Sequence, residues 1–112
     1  MTISATKMFA PTTLTTGAAT LYTVAGSTAT VLANARVRFV NTSNTAVQVT
    51  AYAVPSGGSA ATGNQFCPNM TVLGYGYIDV DVPNLNGGDF IAALASTGAV
   101  VVAQAMNAVL FF

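Results

Sequence analysis

The chain has 112 residues, of which 53% are hydrophobic and 5% charged, and its three basic and three acidic side chains cancel to a net charge of zero. That length fits one domain with a single core. Direct nucleic-acid binding is excluded as an expectation, because it needs clustered Lys and Arg to displace counterions from phosphates. An average soluble domain carries about 25% charged residues, so a surface this poor in charge suits a subunit covered by neighbours better than a free monomer.

In chain order, residues 1–13 are expected to form an extended N-terminal arm, and residues 14–112 a folded domain. The opening "MTISATKMFAP" has no basic region followed by an apolar run, so no secretory signal is expected. The lone Cys67 has no internal disulfide partner, which fits a fold assembled in a reducing cytoplasm with this side chain serving as a small hydrophobe. The sequons at Asn41 and Asn69 then belong to turn chemistry.

No stretch has apolar residues at helical spacing, whereas Thr, Val and small residues dominate and Gly or Asn clusters recur, which is the pattern of an all-β domain. Strands are expected near residues 19–24, 28–40, 46–54, 70–73, 77–82, 90–95 and 99–106, followed by a short tail, "NAVLFF". The "NTSNT" segment and Gly98 suggest hairpins, the first through side chains that bond their own backbone and the second through a positive φ. The Gly-rich stretch from Pro55 to Asn64 should be an exposed loop. Phe90–Phe112 is uncharged and about the roughly 20 residues a membrane-spanning helix needs. Its Ser96-Thr97-Gly98 turn and β-branched Val100-Val101-Val102 favour strands instead, and no membrane partner is expected.

Alternation assigns directions. Val37 and Phe39 should face the core and Arg36 and Arg38 the outside, with Val47, Val49, Ala51 and Ala53 facing inward on the next strand. In "YIDVDV", Ile78, Val80 and Val82 should point inward, and Asp79 and Asp81 outward. Pairing of Arg36 and Arg38 with Asp79 and Asp81 would fix register or orientation, within one sheet or across a subunit boundary.

Familiar catalytic constellations lack their parts. There is no His and no Glu, so Ser-His or Cys-His pairs and an imidazole base are absent, and the only carboxylates are three aspartates. Paired-carboxylate chemistry at Asp79 and Asp81 has no further acid, base or ligand beside it in sequence. "NLNGGD" lacks the ordered acidic ligands and closing Glu of an EF-hand. "GYGYID" lacks the third glycine and following helix of a dinucleotide site, so Gly74 and Gly76 are expected at a bulge or tight bend. Tyr22, Tyr52, Tyr75 and Tyr77 offer faces for a sugar, but dispersed tyrosines in a β protein more often serve packing or intersubunit contact. No enzyme activity, cofactor or metal is expected.

The order of motifs adds a resemblance. A "LYTV" strand, the segment "VRFVNTSNTAVQVTAYAV", a "GG" loop and "NGGDFIAALASTGAV" resemble small β-sandwich virion proteins of tailed bacteriophages, from about Leu14 to Ala103. The resemblance departs after "YTV", where the family usually has Pro-Ala-Gly and this chain has Ala25-Gly26. It implies a single-domain, jelly-roll-like antiparallel β-sandwich that acts as a head decoration (cement or staple) protein on the outer surface of the capsid. On that reading the chain forms a homo-oligomer, a dimer or trimer, and stabilises the shell by bridging major capsid subunits. The alternative is a receptor- or glycan-binding domain of a tail appendage. The short chain, without coiled-coil or repeat pattern, favours decoration. Candidate interface residues are Met8 and Phe9 in the arm, Leu110, Phe111 and Phe112 in the tail, and Arg36, Arg38, Asp79 and Asp81.

Overall fold

The computed structural model describes residues 2–27 and 29–112; the expected strand start at Thr28 and the first residue of the arm lie outside them. The fold is all-β, two antiparallel sheets packed as a sandwich. In chain order the strands are β1 (Ile3–Ala5), β2 (Thr12–Thr13), β3 (Ala19–Thr23), β4 (Val31–Asn41), β5 (Val47–Val54), β6 (Gln65–Val72), β7 (Tyr77–Val82), β8 (Leu85–Asn86), β9 (Phe90–Ala95) and β10 (Val101–Phe111). A 3₁₀ turn, Thr62–Asn64, precedes β6.

One sheet has the order β1-β10-β4-β7, with β2 also on β10 and β8 also on β4; the other has the order β3-β9-β5-β6. Successive strands thus tend to sit in opposite sheets, an arrangement compatible with a jelly roll. The inner faces meet in a core of mostly small residues. Leu32, Val37 and Phe39 from β4 lie against Val47, Val49 and Ala51 from β5, Ile91, Ala93 and Ala95 from β9, and Val101 and Ala103 from β10. Phe39 is the largest fully buried side chain.

The alternation expected for β4 and β7 is present: Ala35, Val37 and Phe39 are buried, and Asp79 and Asp81 are exposed. On β5 Val47, Val49 and Ala51 are buried as expected, but Thr50 between them is buried too, Ala53 is half-buried, and Val54 is fully buried on the opposite parity. The side chain of Val54 lies under the exposed loop that follows it, 3.4 Å from where a Cβ on Gly58 would stand. Pro68 lies in β6, an outer strand of its sheet, where a missing N–H costs no ladder bond.

Two sequence expectations need correction. The "NTSNT" and Gly98 turns are not hairpins, because β4 and β10 belong to one sheet and β5 and β9 to the other. Each turn carries the chain across the sandwich. Asn41 makes the first crossing possible: its buried Nδ2 donates to the carbonyls of Thr45 at 2.8 Å and Val72 at 3.1 Å, and its Oδ1 accepts from the Ser43 N–H at 3.0 Å and hydroxyl at 2.7 Å. One side chain therefore satisfies groups that a hairpin ladder would otherwise pair. In the second crossing the left-handed residue is Ala99, at φ 63°, and not Gly98.

The second correction concerns the tail. "NAVLFF" continues β10 through Phe111 because a register shift between Ala105 and Asn107 exposes Met106 and Asn107 together and then restores the alternation. The arm lies along the sandwich. Residues 3–5 and 12–13 pair with β10 as edge strands, Thr2 and Phe112 exchange backbone hydrogen bonds, and Met8 joins Leu14 in the same core cluster. Backbone pairing and the burial of Met8 hold the arm on the sandwich. Among the described residues, no helix is long and apolar enough to cross a membrane, and the uncharged Phe90–Phe112 segment is β9, a turn and β10.

Replacing Asn41 with Ala leaves the Thr45 and Val72 carbonyls without this donor and should cost roughly 1–3 kcal/mol, whereas Asn44→Ala in the exposed part of the same turn should stay within about 0.5 kcal/mol. Urea denaturation of the two variants measures the difference.

Candidate interaction surface

The four charges singled out in the sequence lie on the outer face of the β4–β7 pair. In the register, Arg36 is opposite Asp81 and Arg38 opposite Asp79. Arg36 Nε donates to Asp81 Oδ1 at 2.8 Å. Arg38 makes a two-pronged contact, Nε to Asp79 Oδ1 at 2.7 Å and Nη2 to Oδ2 at 3.1 Å, and its guanidinium carbon stands 4.1 Å from the centre of the Tyr77 ring. The pairing is within one chain, so these residues form a ladder that favours one register of β4 on β7.

Electrostatics follow from this geometry. The hydrogen bond from Arg38, and behind it the charges of Arg38 and Arg36, hold the Asp79 carboxyl below its ordinary pKa. Hydrogen bonding to Asp81 and Asp79 raises the pKa values of Arg36 and Arg38 in turn. Asp79 is thus stabilised as a carboxylate facing a committed cation, which is the reverse of the raised pKa a general acid needs near neutrality. Among the described residues there is no group of three or more metal-ligating side chains.

The third aspartate fastens loops. Asp89 Oδ1 accepts from the Ser56 N–H at 3.0 Å and Oδ2 from the Asn86 N–H at 2.9 Å. Within the same "NLNGGD" segment, Gly87 lies so close to Ser27 that a Cβ there would meet the Ser27 carbonyl oxygen at 2.0 Å. Cys67 is buried with its thiol 3.7 Å from the Val49 carbonyl, and burial pushes its pKa up, as suits a small hydrophobe.

The terminal candidates divide. Met8 is in the core, and Phe9 and Leu110 are half-buried against it. Phe111 is half-buried opposite Ile3, while Phe112 is 56% exposed and Ile3 63% exposed. The exposed apolar side chains at this end are therefore Ile3 and Phe112, not Met8, and they lie on opposite sides of the pairing, since Ile3 is opposite Phe111 while Phe112 sits beside Leu110.

A group of exposed apolar side chains lies outside the candidate interface residues. Met70, Leu73, Tyr75 and Tyr77 are 47%, 70%, 75% and 58% exposed. They lie around the β6–β7 crossing, toward the opposite end of β4 from Phe111, since Tyr77 is opposite Val40 and Phe111 opposite Val31. Gly74 permits the crossing: a Cβ there would lie 2.5 Å from the Asn44 carbonyl oxygen. Tyr75, between the two glycines, takes the left-handed conformation at φ 56°, and its N–H donates to Ser43. The signal available in the sequence was "LGYGY": large apolar side chains on a glycine-punctuated turn have little core to enter. Of the other tyrosines, Tyr22 and Tyr52 are half-buried.

The ladder predicts an order of stabilities. Arg38→Glu should lower the unfolding midpoint more than the swap Arg38→Glu with Asp79→Arg, and the gap should shrink in high salt. Because the Asp79 pKa is depressed in the fold, its contribution is complete above the unfolded value of about 3.9 and is lost as pH falls through the lower folded value; thermal melts across that range should show the loss in the wild type and not in Asp79→Asn. Comparison of the chain with protein-family models, curated proteins and solved structures finds no significant match.

Proposed function

We propose that this chain is a structural decoration protein on the outer surface of a tailed-phage capsid, binding across neighbouring major capsid subunits and stabilising the shell. The observation that carries this reading is the surface: four of its six charges are spent on one another within a sheet, while Leu73, Tyr75 and Tyr77 at one crossing and Ile3 and Phe112 at the termini stand open. Apolar groups exposed in this way mark a surface completed by other subunits.

The sequence resemblance between Leu14 and Ala103 supports the same reading, as does the two-sheet sandwich. Exposed apolar side chains at the β6–β7 crossing and, toward the other end of β4, at the termini suit a subunit that bridges, either between capsid subunits or between a capsid subunit and another copy of itself. The work is mechanical. Bound copies favour the closed shell over separated subunits by linkage, and many weak sites on one particle act together.

Particles carrying the protein should hold their DNA at higher temperature, or longer under chelator, than particles stripped of it. Leu73→Asp with Tyr75→Asp should abolish binding to stripped heads while leaving the melting temperature of the free protein nearly unchanged. Equal DNA release with and without the protein, or undiminished binding of the double variant, contradicts the proposal.

A further inference from the structure

The sheet that carries the ladder is interrupted along one transverse line. On β10 the register shifts between Ala105 and Asn107 and again between Asn107 and Val109. Next to it on β4, Asn34 takes the left-handed conformation at φ 53°. On the far side of β4, pairing with β7 stops at Val82 and resumes with β8 at Leu85, so Pro83 and Asn84 pass Asn34 outside the ladder. Three neighbouring segments break at one level, and each places an asparagine there.

These breaks surround a hollow of about 510 Å³, lined by Asn34, Arg36, Asp81, Asn84 and Asn107 with parts of Ala35 and Val82. That volume is within the roughly 300–1,000 Å³ of small-molecule sites. The polar groups retain unused capacity. Arg36 bonds Asp81 through Nε and Oδ1, leaving its terminal nitrogens and Asp81 Oδ2 to other partners. Asn107 Nδ2 donates to the Asn34 carbonyl, which leaves its Oδ1 as an acceptor. Among the described residues, no hydrogen bond engages the side-chain amides of Asn34 or Asn84.

The composition of the lining selects the ligand. Arg36 is neutralised by Asp81, which would also repel a phosphate or carboxylate. A single carboxylate already held by an arginine is a poor cation site. No aromatic or exposed aliphatic side chain lines the hollow to take an apolar molecule. An added peptide strand needs an open edge, and here β4 has β10 on one side and β7 and β8 on the other. Planar amide, carboxylate and guanidinium groups, each offering donors or acceptors in a fixed plane, match the adjacent hydroxyls of a sugar, which donate and accept at once.

We infer that this hollow is a binding site for a neutral saccharide, held by Asn34, Asn84, Asn107, Arg36 and Asp81. None of these residues is among the exposed apolar side chains at the β6–β7 crossing or the termini. With no ring to stack on, affinity should be weak, roughly millimolar, and dependent on many copies acting together.

The test is an NMR titration of the full ¹⁵N-labelled chain with glucose, N-acetylglucosamine, maltose and lactose, and with inorganic phosphate as the charged control. At least one neutral sugar should give saturable shifts at the side-chain amides of Asn34, Asn84 and Asn107. Asn84→Ala, and Asn34→Gly with its positive φ preserved, should each weaken that sugar by about tenfold, as the loss of a hydrogen bond in a small site does. Their spectra report whether the fold is kept. No saturable shift with any neutral sugar, saturation by phosphate alone, shifts centred on Tyr75 and Tyr77, or binding unchanged in both folded variants would each overturn the inference.

Discussion

Strand β4 has to satisfy two neighbours and two faces at once, and the rest of the fold is arranged around that constraint. It pairs with β10 along nearly its whole length and with β7 and then β8 on the other side. Its inner face supplies Leu32, Val37 and Phe39 to the core, and its outer face carries the arginines. Because strand side chains alternate with a period of two, a slip of one residue would bury Arg36 and Arg38 and expose Phe39. The aspartates of β7 oppose that slip, since only the native register puts each carboxylate against its guanidinium. Asn41, at the end of the same strand, then ties the turn to β6 and sends the chain into the other sheet.

The same economy explains why so few charges suffice. Four of the six are consumed in the ladder and the Asp89 carboxylate fastens two backbone segments, so little charge is left over for solubility. What faces outward instead is amide, hydroxyl and apolar surface. In a free monomer that balance invites association. In a subunit covered by neighbours it supplies contact area with little desolvation cost.

The sequence revealed most where alternation was clean. The inward Val37 and Phe39, the outward arginines and aspartates, and the exposed Pro55–Asn64 loop were all legible from spacing and turn composition. Connectivity was not. A turn such as "NTSNT" has the same chemistry whether it joins two strands of one sheet or crosses between two, because the difference lies in what its buried Asn41 meets from β6, far away in sequence. The tail escaped notice for a related reason: the shift at Met106 and Asn107 imitates the end of a strand. For the arm, short strands of three and two residues carry too little periodicity to be seen, and β10 supplies their hydrogen bonds. Of the candidate surface, the ladder was legible and the apolar crossing at Leu73–Tyr77 was not, since a turn hides the alternation that marks a strand face.

The central claim is that this sandwich is a repeated component of a shell, and location with copy number tests it most directly. Purified heads and purified tails from one phage preparation can be separated and the protein quantified in each against the major capsid protein. Decoration predicts many copies on every head, in fixed ratio to the capsid subunit, and none on isolated tails. A few copies per particle confined to the tail would contradict the account and support an appendage instead.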